Sequence, residues 1–484
     1  MIDLHINEEG LRHNIQCARE HGVILPTYTQ MKDPSKIPQA ILDRLAVTGL
    51  WDLDPVNLFR INWHNEPKAQ GGLFGKPNII EFPSALTGVP CRIIAMVGKW
   101  FPTGCHKVGA SYGCLAPELV TGHFDALEQR AVWPSTGNFC RGGAFNSKLL
   151  GVHSIGLMPE GMSRERFEWL KSIGSEVVMT PGKESNVKGV FDKTRELAAD
   201  PKNKVFNQFE MMGNHLWHYE VTASAMAEAF ESCRRPEDRF AGACFMTGSA
   251  GTIGAGDRLK ELYPQLRLGA GEAVQCPTML TGGYGVHRLE GTGDNHVPWI
   301  HNAKNTDMVI AVDDADVLGI LRLFNEPAGQ EYLVKELGLE EAWVRQLDLL
   351  GISGIANLIC CIKMAKYYEF GPHDLLATVL TDSAELYGSR ISELREKEGA
   401  YTGHAAPVGH ARHMLGLRTD WLKELTYVDK RQLHNQKYYT WVEQHGKSVK
   451  ELDELWYGDA FQSVHGQAAA IDKLIEAFNE EAAK

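Results

Sequence analysis

One lysine stands in a segment whose composition could free its amine for chemistry. Lys107 lies in FPTGCHKVGA, residues 101–110, directly after a histidine and before small residues. Such a lysine is either a solvated surface charge or the attachment point of a cofactor. The segment alone favours the surface charge, so the decision rests on the other segments of the chain.

A polar turn follows at STGNFCRGGA, residues 135–144, before a helix that is predicted to begin with small residues. Its hydroxyls, amide and backbone N–H groups can hold a carboxylate at the helix N-terminus. An ordinary N-capped loop is the alternative for this turn when it is taken alone. The candidate substrate-binding residues are Ser135, Thr136, Gly137 and Asn138.

A glycine-rich loop joins a predicted strand to a predicted helix in FMTGSAGTIGAGDRLKELY, residues 245–263. Its backbone N–H groups can approach a phosphate closely, and the helix dipole favours the negative charge. A dinucleotide is an alternative ligand. The sequence fingerprint of dinucleotide-binding folds, however, needs an acidic residue about 20 positions after its glycines, and Glu272 fits that spacing only loosely. The candidate phosphate-binding residues are Gly248, Ser249, Ala250, Gly251 and Thr252.

A fourth segment, TVLTDSAELYGS, residues 378–389, ends a predicted strand in Asp382 and Ser383. The hydroxyl can hydrogen bond to a ring nitrogen, or it can simply cap the next helix. The neighbouring carboxylate would instead keep such a nitrogen protonated. We expect Ser383 to face the ligand and Asp382 to face solvent or cap the following helix.

Short apolar strands alternate with helices from about residue 91 onwards. GVHSIGLMP (151–159) and SEVVMT (175–180) flank a helix that is predicted to begin after Ser163 and to end at Gly174. This order of strand, crossover helix and strand is typical of a parallel sheet covered by helices on both faces. Further strands are predicted at CRIIAMVG, AGACFMT, MVIAV and LLATVLT.

The length of 484 residues predicts two or three domains. Residues 1–90 are rich in proline, asparagine, aspartate and glycine, and we expect an irregular N-terminal extension wrapped on a core. Residues 91–395 are predicted to form the catalytic core, and residues 396–484 a charged, helical C-terminal region.

The composition is that of a soluble globular protein, with 44% hydrophobic and 23% charged residues. The formal net charge of -12 argues against a nucleic-acid partner. The chain lacks both the apolar run of a signal peptide and the 18-residue span of a membrane helix. Its ten cysteines are scattered without a CxxC pair, so we expect reduced thiols in the cytoplasm and no membrane association.

In this order and at these intervals, the segments resemble the fold-type II pyridoxal-phosphate enzymes, such as cysteine synthase, cystathionine β-synthase, threonine synthase and the tryptophan synthase β-chain. TGCHKVGASYG resembles the His-Lys motif of the tryptophan synthase β-chain, and STGNFCRGGA is similar to the asparagine loop of cysteine synthase. The most specific likeness joins LMPEGMSRERFEWLKSIGSEVVMTPG to the matching stretch of cysteine synthase. TGSAGTIGAGDRLKE resembles its phosphate loop, and LTDSAELY the serine turn of cystathionine β-synthase. The likeness covers about residues 80–395.

The resemblance implies an α/β homodimer with two three-layer α/β/α domains, the small one (about 110–240) being inserted in the large one. It implies that Lys107 carries pyridoxal 5'-phosphate as a Schiff base and that residues 248–252 hold the phosphate. Asn138 would lie beside the phenolic oxygen of the cofactor, residues 135–137 on the substrate carboxylate, and Ser383 at the pyridine nitrogen. Neither the residues nor the resemblance predicts a metal site.

The resemblance further implies β-elimination or β-replacement on an amino acid through an aminoacrylate intermediate, because a neutral serine cannot keep the ring nitrogen protonated. The alternatives are a threonine synthase-like or thiolase-type subunit that acts beyond Cβ, and a cofactor-binding scaffold without activity. An NAD-dependent oxidoreductase ranks below these. Two departures from cysteine synthase are expected to line the substrate side: Val108-Gly109 after the lysine and Phe139-Cys140 after the asparagine.

Overall fold

The computed structural model describes residues 1–67, 72–182 and 187–484. Its strands are β1 (Ile79–Phe82), β2 (Arg92–Val97), β3 (Arg130–Pro134), β4 (Ser154–Pro159), β5 (Glu176–Thr180), β6 (Asn203–Val205), β7 (Arg239–Met246), β8 (Arg267–Ala273), β9 (Met308–Val312), β10 (Asp374–Leu380) and β11 (Leu422–Glu424). Within the described residues they form a seven-stranded sheet, ordered β1-β2-β10-β7-β8-β9-β11, and a four-stranded sheet, ordered β5-β4-β3-β6.

Helices cover both sheets and make up most of the C-terminal region. They are α1 (Glu8–His21), α2 (Tyr28–Lys32), α3 (Gln39–Val47), α4 (Ser84–Thr87), α5 (Lys107–Thr121), α6 (Asn138–Leu149), α7 (Arg164–Ser172), α8 (Val187–Ala198), α9 (Met212–Trp217), α10 (Ala223–Cys233), α11 (Ile253–Leu262), α12 (Thr278–Thr281), α13 (Asp314–Asn325), α14 (Pro327–Lys335), α15 (Glu341–Val344), α16 (Ile352–Tyr368), α17 (Gly388–Glu398), α18 (Ala405–His410), α19 (Tyr427–Asn435), α20 (Val449–Tyr457), α21 (Ala460–His465) and α22 (Ala468–Ala482).

The predicted alternation of strands and helices is confirmed. The parallel pair β4 and β5 flanks α7, which follows Ser163 and ends just before Gly174, where φ is +83°. The other predicted strands are β2, β7, β9 and β10. A mixed α/β fold with parallel sheets therefore follows from the hydrophobic pattern of this chain.

The expectation that residues 1–90 are irregular is wrong, because α1, α2 and α3 lie there. The side chain of Asn7 accepts a hydrogen bond from the N–H of Gly10 at the start of α1. Gly22, with φ of +64°, ends that helix. Thr27 and Gln30 form a reciprocal capping box on α2. Capping residues therefore set where these helices begin and end. Their apolar residues are too sparse to show a clear helical periodicity in the sequence. The boundary at residue 90 stays a prediction.

The seven-stranded sheet is buried on both faces. Along β10, Leu375, Ala377 and Val379 pack in one hydrophobic core, whereas Leu376 and Leu380 pack in another. The inner strands β2, β10, β7, β8 and β9 run parallel, and the edge strands β1 and β11 are antiparallel to their neighbours. Burial on both faces is what parallel strands under helices require.

Three neighbouring strands of this sheet lead into segments with candidate site residues. β2 precedes the Lys107 segment, β10 ends just before Asp382, and β7 runs into the glycine-rich loop. Because these strands are parallel, their carboxyl ends share one edge of the sheet, where ligands bind in open α/β folds. In the small sheet, β3 ends directly before the turn of residues 135–138. That sheet lies within the predicted insertion at about 110–240, whose bounds stay a prediction.

The C-terminal region packs onto the core mainly through helices, as predicted. The buried amine of Lys437 donates hydrogen bonds to the carbonyls of Trp299 and His301, at 2.8 and 2.7 Å. The indole of Trp441 donates to the carbonyl of Val297 at 2.8 Å. In the part of the chain that the structure describes, no single helix is both long and apolar enough to cross a membrane. A pair of helices, Glu341–Leu349 and Ile352–Tyr368, passes that test only together and is bent by 112°.

Helices α5 and α9 cross at two glycines, and this crossing sets the position of the helix that begins at Lys107. A Cβ atom added to Gly113 would lie 2.4 Å from the carbonyl oxygen of Gly213. One added to Gly213 would lie 2.1 Å from the carbonyl oxygen of Gly113. The two backbones are therefore in direct contact, which only glycine allows.

We expect Gly113→Ala to lower the free energy of unfolding by about 1–3 kcal/mol, because the new methyl group must push the helices apart. Gly371→Ala is the control, since a Cβ atom there meets nothing within 4 Å; its effect should stay within about 0.5 kcal/mol. Thermal and urea unfolding measure both changes. Equal stability of the two variants would contradict the close crossing.

Candidate active site

Lys107 is the first residue of α5, and its amine points at the glycine-rich loop. Its Nζ lies 2.9 Å from Oγ of Ser249 and 3.3 Å from Oε1 of Gln208. Burial of the amine lowers the pKa of Lys107 to about 8. A substantial neutral fraction at physiological pH makes this amine a competent nucleophile or base.

The segment before Lys107 is attached to the end of β10. The backbone N–H of His106 donates to the carbonyl of Thr381, and its ring nitrogen Nε2 lies 3.3 Å from Oγ1 of that threonine. A Cβ atom on Gly98 would lie 2.4 Å from the carbonyl oxygen of Leu380. Burial lowers the pKa of His106 to about 3, so that its ring is neutral and serves packing rather than charge.

The predicted phosphate-binding loop forms a tight turn between β7 and α11. Ala250 has φ of +58°, and a Cβ atom on Gly251 would lie 2.1 Å from Oδ1 of Asn214. The amide of Asn214 donates to Oγ of Ser249 at 3.0 Å, which fixes the hydroxyl that contacts Lys107. The helix α11 follows directly, and the positive end of its dipole, together with the N–H groups of the loop, suits a phosphate group.

The turn of residues 135–138 connects β3 to α6. The N–H of Gly137 donates to Oγ of Ser135 at 3.0 Å. Gly137 has φ of +142°, and a Cβ atom there would lie 2.5 Å from Cδ of Arg166. Arg166 also donates to the carbonyl of Thr136 at 2.8 Å. Glycine is required here both by the backbone conformation and by the arginine packed against it.

Asp382 links this turn to β10, and the expectation that it faces solvent or caps a helix is wrong. The carboxylate is 0% exposed, and its Oδ2 accepts from Nδ2 of Asn138 at 2.6 Å and from the hydroxyl of Tyr387 at 2.8 Å. The 3₁₀ turn Ala384–Tyr387 brings Tyr387 back to it. Burial raises the pKa of Asp382, whereas Arg166 opposes that shift.

Ser383 is also buried, at 3% exposure, beside this carboxylate in sequence. Its carbonyl accepts a hydrogen bond from Leu386 inside the 3₁₀ turn. The predicted contact of its hydroxyl with a ring nitrogen stays a prediction.

The two departures from cysteine synthase face the protein core, contrary to the expectation that they line the substrate side. Phe139 packs edge-on against Trp133, with ring centroids 5.5 Å apart. The thiol of Cys140 donates to the carbonyl of Trp133 at 2.8 Å. A Cβ atom on Gly109 would collide with Trp217, and Val108 is fully buried. Helical spacing explains this result, because residues one or two positions after Asn138 leave its face of the helix.

Sequence reasoning missed Arg141, which lies on the same helix face as Asn138, three residues on. The guanidinium is buried; it donates to the carbonyl of Thr103 at 2.7 Å and stacks over Trp169, 4.8 Å from the ring. Its Nε and Nη1 have no hydrogen-bond partner among the described residues. The i, i+3 spacing from Asn138 was the signal that could have found it.

Asp294 is a second residue that the sequence did not single out. It is buried, and its Oδ2 lacks a hydrogen-bond partner among the described residues. Burial raises the pKa of Asp294 to about 7, and the charge of Lys107 opposes the rise. Gly293, next to it, donates to the carbonyl of Thr247, which holds this loop against the glycine-rich loop.

Comparison with known proteins places this site in a family. Residues 100–330 match the family described as pyridoxal-phosphate dependent enzyme. A probable cysteine synthase of Bacillus subtilis is 32% identical over 256 residues, which cover 52% of this chain and 75% of that protein. A cysteine synthase of Staphylococcus aureus is 32% identical over 257 residues, covering 53% and 74%.

Solved structures show the same fold at lower sequence identity. An O-acetylserine-dependent cystathionine β-synthase from Helicobacter pylori has a TM-score of 0.54 at 23% identity, covering 65% of this chain and 95% of that one. A hydrogen sulfide-producing enzyme from Fusobacterium nucleatum has a TM-score of 0.54 at 22% identity, covering 64% and 96%. The fold and site thus define a fold-type II α/β enzyme. The chain belongs to the family of pyridoxal-phosphate-dependent enzymes that contains the cysteine synthases.

The residues present fit pyridoxal 5'-phosphate, which this family requires. The Lys107 amine lies beside a loop in which even a Cβ atom at Gly251 is excluded. Oδ1 of Asn138 is buried without a hydrogen-bond partner among the described residues, and so is available to a ligand. The partly neutral amine suits the aldehyde of the cofactor, and the helix N-terminus suits its phosphate. The unpaired amide oxygen suits its phenol.

Covalent attachment of the cofactor needs the neutral amine of Lys107. We expect the rate at which pyridoxal 5'-phosphate re-attaches to cofactor-free enzyme to rise with pH up to about 8 and then to level off, because burial holds the pKa near that value. Absorbance measures the rate, and borohydride trapping with peptide mapping locates the adduct. Lys107→Ala should form none, whereas Lys363→Met, which removes another buried lysine, should attach normally. A rate that keeps rising towards 10.5, the ordinary lysine value, would contradict this expectation.

Gly251→Asp should weaken binding of the cofactor more than Gly251→Ala does. Both add a Cβ atom against Asn214, but only the aspartate adds a charge that repels a phosphate. Fluorescence titration of cofactor-free protein measures both affinities. If Gly251→Asp binds as tightly as the unmodified chain, the loop does not hold the phosphate.

Proposed function

We propose that this chain catalyses β-elimination or β-replacement on an amino acid. The observation that carries this proposal is the contact of Lys107 Nζ with Oγ of Ser249, 2.9 Å apart, at the sheet edge where Asn138 also lies. The cysteine synthases among the relatives support a substrate with a leaving group on Cβ. They disfavour chemistry beyond Cβ.

Lys107 is the base in this proposal. Pyridoxal 5'-phosphate, when bound, supplies an electron sink for the pair that remains when the α-proton is removed. The free amine of Lys107 takes that proton, and its lowered pKa suits a base that works near pH 8. The bond from Cβ to the leaving group then breaks, and the leaving group departs with its electron pair.

The turn of residues 135–138 holds the substrate carboxylate in this proposal. The first N–H groups of α6 lie there with the hydroxyls of Ser135 and Thr136. Asp382 orients Asn138, because it accepts a hydrogen bond from the Nδ2 of that residue. The Oδ1 atom of Asn138 is then free to face the ligand. Asp382 is thereby a positioning residue for Asn138.

Ser383 faces the pyridine nitrogen in this proposal. The neighbouring carboxylate of Asp382 already accepts two hydrogen bonds, which supports a division of roles between the two residues. A neutral hydroxyl leaves the nitrogen unprotonated, which favours departure of a β-substituent over transfer of the amino group.

We also propose that the chain acts as a homodimer in the cytoplasm. Val47, Trp51 and Leu53 expose large apolar side chains within seven residues of each other, which supports a self-association surface. All ten cysteines are free thiols and nine of them are buried, which supports a reducing compartment.

Turnover of a panel of amino acids by the purified holoenzyme tests the function. We expect activity with O-acetylserine, serine or cysteine, seen as keto acid and ammonia for elimination, or as a new amino acid when a thiol or sulfide is added. Asn138→Ala should keep the cofactor but lower kcat/KM about 100-fold, a cost typical of removing one positioned hydrogen-bonding group at a reacting centre. Asn146→Ala, two turns further along α6, is the matched control.

Two outcomes would contradict the proposal. If no amino acid with a β-leaving group is consumed, the proposed reaction is wrong. If Asn138→Ala keeps the full kcat/KM, that residue does not belong to the substrate site.

A further inference from the structure

A compact cluster of potential metal ligands lies behind the candidate active site. Nε2 of His215 on α9 is 3.0 Å from Nε2 of His465 on α21. Oδ2 of Asp257 on α11 is 3.5 Å from the first nitrogen and 3.9 Å from the second. The side chains are 0%, 10% and 1% exposed, in the order His215, His465 and Asp257. Three helices that are distant in sequence therefore converge on one buried point.

The arrangement sets electron-rich atoms against each other. A hydrogen bond between the two rings uses one proton and one lone pair, and it leaves Oδ2 of Asp257, at 3.5 and 3.9 Å, without a hydrogen bond to either ring. No lysine or arginine of the described residues forms an ion pair with this carboxylate. A cation between the three atoms would be ligated by all of them at once.

The carboxylate is held in place by neighbours that donate to it. Nδ2 of Asn302 donates to Oδ2 of Asp257 at 2.8 Å, and Nδ2 of Asn305 donates to Oδ1 at 2.9 Å. His465 is held by a stacked contact with Tyr219, whose ring centroid lies 3.7 Å away. Outer partners of this kind orient metal ligands in proteins.

The distances match those of a bound transition metal. A point equidistant from the three ligand atoms lies about 2.0 Å from each, close to the usual Zn–N and Zn–O distances of about 2.0–2.2 Å. We propose that His215, Asp257 and His465 bind one divalent transition-metal ion, with Zn²⁺ as the ion that this set of ligands fits. Two imidazoles and one carboxylate are a known zinc ligand set, and water completes the coordination.

The ion would connect the C-terminal region to the candidate active site. His215 is next to Asn214, whose amide holds Oγ of Ser249 in the glycine-rich loop. Asp257 lies on the helix that follows this loop, and His465 belongs to the C-terminal region. Metal binding therefore stabilises the tail on the two helices that support the phosphate-binding loop. This site is independent of the reaction proposed above.

The test uses the full-length, tag-free holoenzyme after treatment with EDTA and dialysis. Zn²⁺ is titrated by calorimetry, Co²⁺ by its visible absorption bands, and thermal unfolding is followed with and without Zn²⁺. We expect one ion per chain and a Zn²⁺-dependent rise in the midpoint temperature. His465→Gln should weaken binding at least tenfold and lose the stabilisation. His445→Gln is the matched control, since this partly buried tail histidine contacts Phe191 and Trp441 instead.

Two results would overturn the proposal. In the first, the unmodified chain binds no stoichiometric Zn²⁺ or Co²⁺, so that the cluster holds only a hydrogen bond between two imidazoles. In the second, His465→Gln binds Zn²⁺ as tightly as the unmodified chain. Circular dichroism and the cofactor absorbance verify that each variant is folded, and Asp257→Asn supplies a second variant that keeps the side-chain volume. Turnover is measured separately, so failure here leaves the proposed reaction untouched.

Discussion

The hydrogen bond from Asn138 to Asp382 joins the two sheets at the point where chemistry is expected. Asn138 follows β3 of the small sheet, and Asp382 follows β10 of the large one. Arg166 strengthens the junction, because it donates to the hydroxyl of Tyr387 at 2.7 Å, and that hydroxyl donates to Asp382. A buried carboxylate is costly unless it is paired and hydrogen bonded. The pairing therefore holds the two sheets in the one relation that satisfies this charge.

Burial also tunes the groups around the cleft. It lowers the pKa of the Lys107 amine to about 8 and raises the pKa of the Asp294 carboxyl to about 7. The pKa values of an amine and a carboxyl are thereby brought close together, so that both groups can exchange protons in the same pH range. Desolvation causes both shifts. The fold itself therefore sets these pKa values, because close packing around the ends of the parallel strands excludes water.

Much of this organisation could be predicted from sequence, because parallel strands have a strong local signature. Buried apolar runs predicted β2, β7, β9 and β10. The polar segments that follow β7 and β10 gave the prediction of a ligand site at this edge of the sheet. What could not be predicted depends on contacts between distant residues. The burial of Asp382 requires Asn138, 244 positions away. The N-terminal helices depend on caps and on packing against the core, which short apolar patterns do not reveal. The orientation of Phe139 and Cys140 follows helical phase, whereas family likeness alone placed them on the wrong side.

The contacts of the C-terminal region have a consequence for how this enzyme differs from shorter relatives. Lys437 and Trp441 bind the backbone of residues 297–301, directly after the loop that carries Asp294. That loop lies against the predicted phosphate-binding loop, since a Cβ atom placed on Gly248 would be 2.9 Å from the carbonyl oxygen of Gly291. The C-terminal region thus holds the backbone segment that follows the Asp294 loop. A chain cut after residue 395, where the predicted catalytic core ends, would keep every residue of the predicted site and still lose the hydrogen bonds from Lys437 and Trp441.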